Sequence, residues 1–219
     1  MSRASLWLLP PRADHPFAKS LNKLITDTVP SNFPDVNAPQ FSGHVTLTPS
    51  FDAASTYKSS EQAQAWLDGL NLPASVSAEK DEAVIEFMEL DAGDPFFRKL
   101  ILTARKDANF LKLAANVYSQ VHSSSDEAAQ EWTEDDYAPH LSLLYADASK
   151  HDIEQKMHKV ELQLGFEFGD LFACCGGMLA QGARLAVVDI SSGEDVKGWK
   201  VLAERDLNWV VWKAARALI

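Results

Sequence analysis

Cysteine is scarce in this chain, and the two copies present cannot cross-link distant segments. Cys174 and Cys175 are adjacent in a sequence of 219 residues, so a bond between them would not join one part of the fold to another. We expect both thiols to pack as small hydrophobic groups, and a thiol-sensitive enzyme is the alternative.

Long apolar runs are also absent. No stretch reaches the length that a membrane span needs, and the amino terminus lacks the basic region, the apolar region and the cleavage site of a secretory signal. We therefore expect an intracellular, cytoplasmic protein without a membrane span.

Basic residues are outnumbered by acidic ones. Lysine and arginine total 20 against 31 aspartates and glutamates, which gives a formal net charge of −11. Because affinity for long nucleic acids rests on many basic contacts to phosphates, this balance argues against a stable complex with long RNA or DNA and favours small nucleotides. With 46% hydrophobic residues, the chain is expected to form one enzyme-sized domain over residues 1–219. We also expect it to act as a monomer.

One short motif occurs twice. The tetrads His44–Leu47 (HVTL) and His140–Leu143 (HLSL) each set a histidine two residues before a hydroxyl, in a chain with only six histidines. Side chains alternate between the two faces of a strand, so each tetrad predicts an imidazole and a hydroxyl on one face and buried aliphatic groups on the other. Each tetrad also follows a turn signal, and the pair predicts one site built from two strands.

The doubled motif resembles the signature of the 2H phosphoesterase superfamily. The segments Ser5–Pro11, Gly43–Thr48 and Pro139–Tyr145 are similar, in type, order and separation, to the fungal and plant 2',3'-cyclic-nucleotide 3'-phosphodiesterase family. The resemblance covers most of residues 1–206. It implies an α+β fold of two similar lobes, each an antiparallel sheet with helices on its outer face, with the active-site cleft between them and the two motif strands facing each other across it.

The resemblance also implies a reaction. It points to hydrolysis of nucleoside 2',3'-cyclic phosphates to nucleoside 2'-phosphates, and to opening of ADP-ribose 1'',2''-cyclic phosphate, a by-product of tRNA splicing, to ADP-ribose 1''-phosphate. The resemblance to fungal relatives also gives an alternative location for this protein, a peripheral association with endomembranes such as the Golgi.

The four motif side chains suit this chemistry. Opening a cyclic phosphate needs a base for the attacking water and an acid for the departing oxygen, and one neutral and one protonated imidazole supply both near neutral pH. His44 and His140 are therefore the predicted catalytic residues. Thr46 and Ser142 are predicted to bind the phosphate by donating hydrogen bonds to its oxygens. No metal or other cofactor is expected.

Two finer assignments complete the predicted site. The superfamily resemblance favours His140 as the base and His44 as the acid. Trp7 and Tyr145 are candidates to stack under the nucleobase, with core packing as the alternative. The other four histidines are expected to lie outside the site: His15, His122, His151 and His158.

Outside the motifs the sequence predicts alternating strands and helices. Strands are expected near 5–9, 83–90, 97–104, 141–145, 177–181, 184–190 and 199–206, and helices near 60–70, from 107, and near 150–162. The turn 181–183 is expected to join two of these strands as a hairpin.

Two segments have no settled place in this scheme. The polar, acidic segment 121–139 is a candidate mobile loop, either a lid over the site or an exposed linker. The carboxy-terminal tail 207–219 contains the apolar run Trp209–Trp212. It is either a helix on the body or a sheet edge for a partner.

Three alternative functions stay open at this point. An RNA-end 2'-5' phosphodiesterase or ligase of the same superfamily would lose affinity steeply with salt. A metal site with His44 and His140 as ligands would lose activity to a chelator, although no third ligand has convincing spacing. A nucleotide-binding module without turnover would leave a cyclic nucleotide intact.

Overall fold

A computed structural model describes residues 3–72 and 82–219 of the chain. The strands in these residues are β1 (Arg3–Leu9), β2 (Val45–Thr46), β3 (Phe51–Asp52), β4 (Ala83–Ala92), β5 (Leu100–Ala104), β6 (His140–Leu144), β7 (Ala180–Asp189) and β8 (Lys200–Ala214). The helices are α1 (Pro16–Lys23), α2 (Val29–Ser31), α3 (Ser60–Gly69), α4 (Ala108–His122), α5 (Asp126–Asp135), α6 (Lys150–Glu154) and α7 (Met157–Cys174). This mixture confirms the predicted α+β class.

Side chains at the helix starts explain where most helices begin. A side chain of the preceding residue accepts a hydrogen bond from the first turn in α1, α3, α4, α5 and α6, at His15, Ser59, Asp107, Ser125 and Ser149. The predicted helix 150–162 is interrupted after α6 and continues much further, as α7. None of the described helices is both long enough and apolar enough to cross a membrane.

All described strands belong to one sheet. Its order is β2-β6-β5-β4-β8-β7-β1-β3, and β2 also pairs with β1. This additional pairing closes a ring that leaves only β3 outside it. Every pair is antiparallel except β4 with β8. The two antiparallel groups are β1, β2, β7 and β8 on one side and β4, β5 and β6 on the other.

The two groups draw on both halves of the sequence. β1 lies beside β7, and β5 lies beside β6. Helices pack behind the sheet, with α3 against β8 and α4 against β4. The predicted antiparallel groups are therefore present, and they join through the parallel pair β4–β8 and through the pair β2–β6.

The carboxy-terminal segment is part of the sheet, and both alternatives offered for 207–219 are wrong. β8 continues past Asp206, and its later part pairs in parallel with β4, from Val210 opposite Ala83 to Ala214 opposite Phe87. Because a parallel strand is buried on both faces, it requires a nearly continuous apolar run, which Trp209–Trp212 supplies.

Two predicted connections also differ from the structure. Residues 121–139 hold the end of α4 and the whole of α5, because Ser125 caps α5 and Trp132 stacks on Tyr118 with ring centroids 4.2 Å apart. The lid role of this segment stays a prediction. The expected hairpin at 181–183 is a bulge inside the single strand β7, where Gly182 adopts φ +89°.

The expected packing of the cysteines is wrong for one of them. Cys174 is exposed and Cys175 is partly exposed, because both lie at the end of α7, where the helix gives way to a turn.

Candidate active site

The two motifs lie on neighbouring strands. β2 and β6 pair antiparallel through the residue that follows each histidine. This register places His44 opposite Ser142 and Thr46 opposite His140. Each imidazole is thus adjacent to the hydroxyl of the other motif. The motif strands are hydrogen-bonded neighbours, so they do not face each other across a cleft, and the site lies over their shared face.

The other face of these strands is buried, as the alternation predicts. The four aliphatic residues of the motifs have no measurable exposure: Val45, Leu47, Leu141 and Leu143. They belong to the main hydrophobic core, which fixes the face on which the histidines lie.

All four predicted site residues line one cavity of about 220 Å³. His44, Thr46, His140 and Ser142 therefore converge, as the doubled motif predicts. Further side chains in the wall include Ser5, Trp7, Thr48, Phe97, Tyr145 and Trp199. None of the other four histidines lines this cavity.

The two histidines are held in the same way. Nδ1 of His44 lies 2.7 Å from the carbonyl oxygen of Ser42, and Nδ1 of His140 lies 2.9 Å from that of Ala138. A carbonyl oxygen only accepts, so each Nδ1 carries the hydrogen and donates it. In each neutral ring Nε2 is then the basic nitrogen, and in residues 3–72 and 82–219 it has no protein partner. Either ring can accept a proton at Nε2 or, once protonated, donate one.

His44 lies in an apolar setting. Its ring stacks on Trp7 with centroids 3.6 Å apart and planes 5° from parallel, and the residue is 6% exposed. Burial lowers the pKa of His44 to about 4, the hydrogen bond to Ser42 opposes this shift, and the charge of His140 adds to it. His44 is therefore neutral near pH 7.

His140 is only partly buried and also lines the cavity. Burial lowers its pKa below the usual 6.5, the bond to the Ala138 carbonyl opposes the shift, and the positive charge of Arg98 adds to it. His44 is buried more fully than His140, which disfavours its protonated form more strongly. His140 is thus the ring that takes up a proton more readily.

The two predicted phosphate-binding hydroxyls differ in availability. The Thr46 hydroxyl has no protein partner in the part of the chain that the structure describes, and its side chain is partly exposed to the cavity. The Ser142 hydroxyl donates to the carbonyl oxygen of Phe97 at 2.8 Å. A serine has a single hydroxyl hydrogen, so Ser142 has to give up this bond before it can donate to a phosphate.

Thr48 is a further hydroxyl in the cavity wall that the sequence reasoning missed. Its Oγ1 accepts a hydrogen bond from the backbone N–H of Leu6 at 3.3 Å, and the residue is buried. The signal was present, because Thr48 follows Thr46 by two positions, which an extended segment would place on the same face.

The stacking role predicted for Trp7 and Tyr145 has to be revised. Trp7 already stacks on His44, and Tyr145 stacks on Phe41 with centroids 3.7 Å apart. Trp7 is 6% and Tyr145 is 3% exposed, so neither offers an open ring face to a nucleobase. Trp199, which sequence reasoning missed, is a partly exposed ring in the same cavity.

A metal site at the two histidines would need further ligands nearby. Within residues 3–72 and 82–219, no cluster of three or more histidine, cysteine, aspartate or glutamate side chains is placed to hold a metal ion. The arrangement is suited to proton transfer between two imidazoles and an anion held by hydroxyl groups.

Comparisons with known proteins agree with the motif resemblance. A family described as cyclic phosphodiesterase-like protein matches residues 1–207. A 2',3'-cyclic-nucleotide 3'-phosphodiesterase of Phaeosphaeria nodorum is 33% identical over 213 residues, covering 94% of this chain and 100% of the relative. A protein of the same name from Neurospora crassa is 27% identical over 223 residues, with the same two coverages. The matched region includes every residue of the cavity. This chain therefore belongs to the cyclic phosphodiesterase-like protein family.

Proposed function

We propose that this chain hydrolyses nucleoside 2',3'-cyclic phosphates to nucleoside 2'-phosphates. The observation that carries the proposal is the convergence, on one small cavity, of two imidazoles and a threonine hydroxyl, where both Nε2 atoms and the hydroxyl have no partner among the described residues. The activity named for both relatives is of the same kind.

The reaction exchanges two protons with the protein. The oxygen of water bonds to phosphorus while the bond from phosphorus to the 3' oxygen breaks. One histidine accepts the proton of the water at Nε2, and the other donates its proton from Nε2 to the departing 3' oxygen. The protein gains one proton and loses one, so the pair returns to its starting charge.

The two histidines are assigned by burial. The superfamily resemblance implies His140 as the base and His44 as the acid, whereas the deeper burial of His44 favours the reverse. We propose His44 as the base, because it stays neutral, and His140 as the acid, because it is the easier ring to protonate. An aryl leaving group needs little protonation, so an aryl phosphodiester should restore much of the rate to a His140→Ala variant and not to a His44→Ala variant.

The hydroxyl groups hold the phosphate. Thr46 donates to a non-bridging oxygen, where negative charge increases as water attacks. Ser142 joins it by exchanging the Phe97 carbonyl for a second non-bridging oxygen. With Ser142 bound to Phe97 in the free protein, Thr46 makes the first contact.

The same site is proposed to accept a second substrate and to work without a metal. ADP-ribose 1'',2''-cyclic phosphate contains the same five-membered ring on a ribose, so its opening to ADP-ribose 1''-phosphate uses the same groups. Two imidazoles supply both proton transfers, so the reaction requires no metal-bound water.

Phosphorus NMR of the products tests this proposal. The protein is incubated with 2',3'-cyclic AMP, with and without excess EDTA, and we expect adenosine 2'-phosphate as the sole product at equal rates. Adenosine 3'-phosphate would contradict the assigned leaving group.

Loss of activity in EDTA that is restored by a metal would support the metal-site alternative. Binding without turnover would support a nucleotide-binding module, and preferential cleavage of RNA ends would support the RNA-end enzyme.

A further inference from the structure

The catalytic cavity is too small for a whole nucleotide, and a larger groove adjoins it. Sites that enclose small ligands usually measure about 300 to 1,000 Å³, whereas the cavity at the histidines measures about 220 Å³. The adjoining groove measures about 660 Å³ and shares Trp7 and Trp199 with the cavity. When the cyclic phosphate and its ribose are bound beside the histidines, the base therefore has to lie in the groove.

The sheet register fixes how far the groove extends from the histidines. Arg184 lines the groove and lies beside Leu9 in the pairing of β7 with β1. Continuing the β1–β2 register by one residue places Leu9 beside His44. Arg184 is thus two strands away from His44 on the same face of the sheet. At normal strand spacing their Cα atoms are about 10 Å apart. A nucleoside can bridge this distance.

Arg184 is held rigidly and keeps unused donors. Its Nη1 donates to Glu204 at 2.7 Å, and its Nε donates to the carbonyl oxygen of Pro10 at 3.2 Å. A guanidinium has five N–H groups, so three of them have no protein acceptor in residues 3–72 and 82–219. The Arg184 side chain is 22% exposed, which leaves these donors accessible from the groove.

We propose that this groove is the base subsite and that Arg184 selects guanine. The inference rests on the proposed hydrolysis of 2',3'-cyclic nucleotides. Guanine presents two acceptors, O6 and N7, on one edge, and a guanidinium can donate to both. Adenine replaces O6 with an amino group, which leaves an arginine N–H without an acceptor. Phe41 and Trp199, which are partly exposed in the groove wall, cover the apolar faces of the base.

The ratio of kcat/KM for 2',3'-cyclic GMP to that for 2',3'-cyclic AMP tests this inference. The bidentate contact predicts a ratio of about 10 or more in the native protein. Arg184→Met should reduce the ratio to within about twofold of 1, mainly by raising KM for the guanine substrate. Arg184→Lys keeps the positive charge but loses the paired N–H donors of the guanidinium, so it should also reduce the ratio. Because each ratio is taken within one variant, a general loss of folding does not change it.

Arg12→Met is the matched control. Arg12 forms an exposed ion pair with Asp206 and is absent from both the groove and the cavity, so this variant removes the same charge and should keep the native ratio. A native ratio near 1, or an unchanged ratio in both Arg184 variants, would overturn the guanine assignment alone. Absence of turnover on both nucleotides would overturn the proposed function as well.

Discussion

His44 and His140 are fixed by the same bond in two different strands. In each motif the ring donates from Nδ1 to the carbonyl two residues earlier, so the motif itself determines which nitrogen is left to react. The surroundings then separate the two rings, because Trp7 covers His44 while His140 stays partly exposed. Two similar tetrads thereby give two imidazoles with different affinities for a proton, which acid and base catalysis requires.

The pH dependence of the reaction follows from these residues. Burial lowers both histidine pKa values below 6.5, and that of His44 to about 4. The active form carries one proton on the pair, so it is most populated between the two pKa values. We predict that kcat/KM for 2',3'-cyclic AMP is greatest below pH 6.5 and falls as pH rises, because the acid loses its proton.

The acid limb of this profile reports the base. Activity should persist until the pH approaches about 4, where His44 is protonated. Rates of initial hydrolysis measured from about pH 4 to pH 9, at substrate well below KM, give this profile. An optimum at or above about pH 7.5 would be inconsistent with two buried histidines of lowered pKa.

At the scale of the elements, β8 connects the groove beside the catalytic cavity to the hydrophobic core. Its first part pairs with β7 and carries Glu204, while its last part pairs in parallel with β4 and buries Trp212 completely. The Trp212 indole donates to the carbonyl oxygen of Gly182 at 2.9 Å. The segment that the family match leaves out after residue 207 therefore supplies the later half of a central strand.

Removal of the Trp212 side chain should destabilise the fold strongly. We predict that Trp212→Ala lowers the free energy of unfolding by about 3 to 5 kcal/mol, since a large buried ring is lost and a cavity is left. Trp209→Ala is the control, because Trp209 lies on the same strand and is only partly buried. Urea unfolding followed by circular dichroism measures both. Equal, small effects of the two substitutions would show that the end of β8 contributes little.

The sequence predicts some of these elements better than others. Alternation within HVTL and HLSL predicts both motif strands and their buried faces, because these features depend on local periodicity, whereas their convergence is predicted from the repetition of the motif. The place of Trp209–Trp212 depends on pairing with β4, a contact between distant segments that no local pattern reveals. The bond between Ser142 and Phe97 was likewise unpredictable, because it depends on how the turn at Phe96–Arg98 meets β6.

At the scale of the whole molecule, closure of the sheet brings the two motifs together. β2 pairs with β1 on one side and with β6 on the other, so one short strand joins the two antiparallel groups at the catalytic face. The net charge of −11 disfavours extended contact with a long polyanion. We propose that a single chain suffices for this site, because one chain supplies all four motif side chains of the cavity.

Substitution of the two motif histidines tests the central claim most directly. The rate of 2',3'-cyclic AMP hydrolysis is measured for His44→Ala and His140→Ala, with His151→Ala and His158→Ala as controls outside the cavity. We predict that each motif variant loses at least about 100-fold in kcat, because each lacks one of the two proton-transfer groups, and that both controls stay within about twofold of the native protein. A near-native rate in either motif variant would contradict the account of one site built from two motifs.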